Sequence, residues 1–60
     1  MSTVYNPESD IVAQIERLEI EARDIRRKIE YVRNENDRRV LNRQLKEIEE
    51  DITNLQAKLP

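Results

Sequence analysis

The chain has 60 residues and contains no cysteine, histidine, glycine, tryptophan or phenylalanine. Those absences exclude disulfides, Cys/His zinc sites, Cys–His or Ser–His nucleophilic pairs, P-loops and dinucleotide fingerprints. Eleven Lys/Arg against thirteen Asp/Glu leave a net charge of −2, too balanced for binding nucleic acid or membranes through overall charge alone.

The first residues, Met1 to Tyr5, have neither a basic segment nor an apolar stretch of the secretory kind. No run approaches the roughly 18 apolar residues of a membrane span, and no lipidation motif ends the chain. The expectation is a soluble, cytoplasmic protein with no membrane partner. Residues 1–6 read as a flexible N-terminal arm, with a terminal Val4 and Tyr5 more apt to fray than to dock. A single helical domain then spans residues 7–60.

Asn6 is the expected cap of a first helix, over about residues 7–33. Pro7 suits the first helical position, and Glu8 and Asp10 suit the positive end of the helix dipole. Its apolar residues are Ile11, Ile15, Leu18, Ala22, Ile25, Ile29 and Val32, with steps alternating between four and three. That spacing is a heptad seam. A second seam, Leu41, Leu45, Ile48, Ile52, Leu55 and Leu59, predicts a second helix over about residues 37–59. From Val32 to Leu41 the sequence advances nine residues, a rotation of about 180° along one continuous helix. An unbroken rod would therefore carry its stripes on opposite faces.

Folding back removes the conflict. Antiparallel partners whose position numbers sum to 70 give the layers Ile29/Leu41, Ile25/Leu45, Ala22/Ile48, Leu18/Ile52, Ile15/Leu55 and Ile11/Leu59. The turn is expected at about residues 34–37. Asn34 is expected in the left-handed conformation that ends the first helix, and Asn36 or Asp37 is expected to cap the second. The fold class is all-α, an antiparallel helical hairpin.

Two facing helices leave half of each stripe wet, and no disulfide or zinc site is there to compensate. The thirteen seam residues are therefore read as a self-association surface that joins two hairpins in a four-helix bundle. Ala22, the one small seam residue, marks a close helix–helix approach. Residues 23–46 carry nine bases and four acids, whereas residues 1–22 and 47–60 are net acidic. The loop end is thus basic and the termini end acidic, so that like charges meet within one hairpin. An antiparallel homodimer would set unlike ends side by side, a bias on orientation more than a driving force.

Candidate sites are few. Arg26, Arg27, Arg33, Arg38, Arg39 and Arg43 gather near the loop end and could hold an anionic partner or pair with the second protomer's acids. Ile20 and Tyr31 lie within about 20° of each other on the outward face of the first helix, a candidate secondary docking surface, and Val12 and Val40 also fall off the seam. Glu47, Glu49, Glu50 and Asp51 point in different directions around a helix and read as a solvated face, without catalytic, cofactor-binding or metal-ligating residues.

In seam and turn the pattern resembles the small dimeric hairpins of the plasmid RNA-binding Rop type, which implies an RNA- or DNA-binding regulator working through the Arg-rich loop end. No residue motif carries over. The Ser-Gln-x-x-x-Asp signature of sporulation-type hairpin phosphatases is likewise missing from Leu41-Asn42-Arg43-Gln44-Leu45-Lys46. With no aromatic set for stacking bases, nucleic-acid binding is the lesser expectation. The leading one is a non-enzymatic, self-associating adaptor or regulator with a protein partner. A small structural or assembly protein is the further alternative.

Overall fold

The computed structural model describes residues 7–60, which form two α-helices, α1 (Pro7–Tyr31) and α2 (Glu35–Gln56). The arm, the Asn6 cap, Val4 and Tyr5 lie outside the described residues. The helices pack side by side as an all-α hairpin, and no strand occurs among the described residues. The shortest dimension, 12 Å, has room for a single layer of helices.

Pro7 opens α1 with Glu8 and Asp10 in its first turn, and Lys28 stands in its last, the charge order that the helix dipole favours. The heptad stripe decides which face turns inward. Among the described residues the thirteen seam positions are also the only ones that are not exposed. Ile15, Ala22 and Ile25 are buried, Ala22 at 1% exposure, while the other ten are half-buried. No α2 residue is fully buried. Each helix thus has one neighbour, which covers the centre of its stripe and leaves the flanks open.

The chain reverses through Val32, Arg33 and Asn34, earlier and more tightly than the spacing predicts. No described residue has positive φ, so the left-handed cap expected at Asn34 does not form. Asn34 is instead the N-cap of α2, with extended backbone at φ −84° and ψ 127°. Its Oδ1 accepts a hydrogen bond from the Asn36 N–H at 2.8 Å, and its carbonyl accepts the first helical bond, from the Arg38 N–H at 3.0 Å. Capping falls to Asn34, not to Asn36 or Asp37.

The physical reason lies in the side chain of Arg38. A left-handed residue would have offered backbone N–H groups to the last carbonyls of α1. Arg38 takes over that task, its Nη2 donating to the Val32 carbonyl at 3.0 Å. Because Arg38 belongs to the first turn of α2, one residue closes the ends of both helices, with no glycine required.

At the far end, Ala57 keeps right-handed backbone and donates to the Thr53 carbonyl at 3.0 Å. Lys58 and Leu59 then donate three residues back, to Leu55 and Gln56, at 3.0 and 3.1 Å. This tightening ends α2 at Gln56, short of the expected residue 59, and Leu59 still lies half-buried.

Asn34→Ala removes the cap and is expected to destabilise the fold by about 1 kcal/mol, whereas Asn34→Gly costs only a few tenths. Thermal melts at fixed protein concentration check this. A glycine variant more stable than the wild type would indicate the left-handed turn.

Candidate functional site

Of the six loop-end arginines, two are committed within the hairpin. Arg38 closes α1 as described, and Arg26 Nη2 meets Glu49 Oε2 across the helices at 3.0 Å. Arg27, Arg33, Arg39 and Arg43 are exposed and form no ion pair with a described residue. The expectation that like charges meet within one hairpin therefore fails at the border of the charge blocks. There a base of α1 reaches an acid of α2. Glu47, Glu49, Glu50 and Asp51 are all exposed, and no cluster of metal-ligating side chains occurs among the described residues.

Ile20 and Tyr31 both stand on the solvent side of α1. They are 58% and 78% exposed, and eleven residues of helix set them about 16 Å apart along the axis. Tyr31 stands beside the turn with Val40, itself 54% exposed. With Val32 and Leu41 they line an open groove of about 630 Å³, rimmed by Arg27 and Lys28. Sequence reading missed this grouping, because Val40 belongs to the other helix and the true turn brings it next to Tyr31.

A second groove, of about 500 Å³, lies toward the termini. Shifting Lys28, Tyr31 and Val32 of the first groove back by two heptads, and each of its α2 residues forward by two, generates it; only Arg27 has no counterpart. Val32 and Leu41 give way to Leu18 and Leu55, Tyr31 to Arg17, and Val40 to Asn54. Both grooves therefore lie on one side of the seam, about 21 Å apart. The pairings Val32 with Leu41 and Leu18 with Leu55 are diagonals between the expected layers.

The opposite side has another character. Arg26 and Lys28 are two residues, about 200°, apart on α1, and Glu49 and Asp51 are so on α2. The ion pair and its groove, which Glu19 and Arg23 line beside Ala22, thus occupy the far flank of the seam. The flank with the two grooves is open, with charged residues along it that form no ion pair with a described residue, and the other flank is bridged.

The Arg26–Glu49 side chains are 56% and 52% exposed, so the pair stabilises the hairpin by less than about 1 kcal/mol. In a double-mutant cycle, Arg26→Glu and Glu49→Arg each lower the melting temperature slightly. The double reversal recovers part of the loss, and the coupling shrinks in high salt.

No curated protein and no solved structure shows a significant match to the chain. A family model does match, over residues 12–60, from the second turn of α1 to the last residue. Both helices, the turn and both grooves fall within that match or at its edge, and the chain belongs to the effector-associated domain 9 family.

Proposed function

We propose that this chain is a non-enzymatic, cytoplasmic interaction module, which self-associates as an antiparallel homodimer and serves as an adaptor or regulator for a protein partner. The observation that carries the reading is the unfinished core. Ten of the thirteen seam residues stay half-buried in the lone hairpin, along a stripe spaced for helix packing. A second hairpin covers that stripe in a four-helix bundle. Membership of an effector-associated family supports a role in bringing proteins together. No helix among the described residues is long and apolar enough to cross a membrane, which fits the same reading.

Nucleic-acid recognition through the loop end is less supported, because Arg26 and Arg38 are already engaged inside the hairpin. Tyr31 is the only aromatic residue among those described.

Self-association makes stability depend on concentration. The melting temperature is expected to rise steadily over a hundred-fold increase in protein, with sedimentation giving the mass of two chains. A monomeric mass and a melt unchanged by dilution would overturn the homodimer. Affinity capture from the source cell that recovers nucleic acid instead of protein would overturn the adaptor reading.

A further inference from the structure

We propose that the second copy docks on the side of the hairpin bearing the two recurring grooves, antiparallel, with Tyr31 and Val40 closing each end of the interface. This rests on the self-association proposed above and adds to it the face and the residues outside the seam.

Four observations support the proposal. The first is the recurrence of the grooves two heptads apart, both floored by half-buried seam residues. Their midpoint falls close to the Ala22/Ile48 layer. A two-fold axis there lays each loop-end groove against the terminal groove of the partner. A two-fold interface has to be self-complementary in this way.

The second is the state of the opposite flank. Its groove has only Ala22 and Ile52 as apolar lining, set among Glu19, Arg23 and the Arg26–Glu49 bridge, whereas the loop-end groove gathers Tyr31, Val32, Val40 and Leu41. The third is charge. The loop end carries a net +5 over residues 23–46, against −4 over residues 1–22 and −3 over residues 47–60. Antiparallel docking sets unlike ends together, and parallel docking stacks like on like.

The fourth is the rim. Tyr31 and Val40 are large, apolar and exposed at the rim of this face, where the fold of one hairpin gives them no cover.

The test is sedimentation equilibrium on the full chain with paired substitutions. Tyr31→Glu with Val40→Glu is expected to weaken association by about 100-fold or more, because it sets unpaired charge in the interface. Thr53→Glu, on the bridged flank, should leave it within about three-fold, a shift below 1 kcal/mol. The milder Tyr31→Ala keeps the helix and is expected to weaken association by about ten-fold, which guards against loss of folding in the charged variant. Orientation is read from a spin label introduced by Arg33→Cys in a chain without other cysteines. Antiparallel copies place the labels roughly 30 Å or more apart along the axis.

A wild type that stays monomeric at every concentration would remove the self-association reading itself. A dimer unaffected by the Tyr31 and Val40 changes, or broken by Thr53→Glu, would leave self-association standing and overturn the face. A label separation under about 20 Å, with both loop ends at the same end of the dimer, would overturn the antiparallel direction.

Discussion

The half-turn of phase between the two apolar stripes governs this molecule. Each stripe is regular by itself, and a continuous helix would turn them to opposite sides, where neither covers the other. Reversal at Val32 to Asn34 converts two incompatible faces into one shared seam. The same constraint fixes what the hairpin lacks. A stripe of heptad residues is wider than one neighbouring helix can cover, so Ile15, Ala22 and Ile25 are buried and the rest of the seam stays half open.

The turn shows how such a reversal is made without glycine. Two helix ends of opposite dipole meet there. Glu35 and Asp37 stand at the positive start of α2, and the Arg38 guanidinium reaches back to the negative end of α1. Asn34 and Arg38 thus satisfy backbone groups from both helices at once. Left-handed backbone, costly for any residue with a β-carbon, is avoided altogether.

The period of the seam was legible in the sequence because burial follows spacing directly. Every apolar residue placed on the stripe is at least half-buried, and no other described residue is. The cap was harder to read. Asn34, Asn36 and Asp37 all have side-chain oxygens suited to capping, and their preferences differ by only fractions of a kcal/mol. What separates them is the guanidinium of Arg38, a contact across the turn that no local pattern announces. The Arg26–Glu49 bridge was hidden for a similar reason, since it depends on which flank of each helix faces the other. The Tyr31–Val40 groove was hidden because its halves belong to different helices. A signal for it does exist, in the two-heptad recurrence of residues beside the seam, but it acquires meaning only once the hairpin is closed.

In the proposed dimer, the unfinished core ties folding to association. When the surface that stabilises the hairpin is also the surface that binds, changes at Leu18 or Leu41 alter both together. Residues outside the seam escape that coupling. Tyr31 and Val40 contribute little to a lone hairpin, being more than half exposed, and Arg26 and Glu49 form only a weak surface pair. Selection among partners can therefore act on the flanks while the stripe is held constant. One flank exposes Tyr31 and Val40 beside the seam, and the other is spanned by the Arg26–Glu49 pair. In the proposed dimer that asymmetry gives a run of generic heptads one preferred side, and specificity then depends on what the flanks exclude as much as on what the seam attracts.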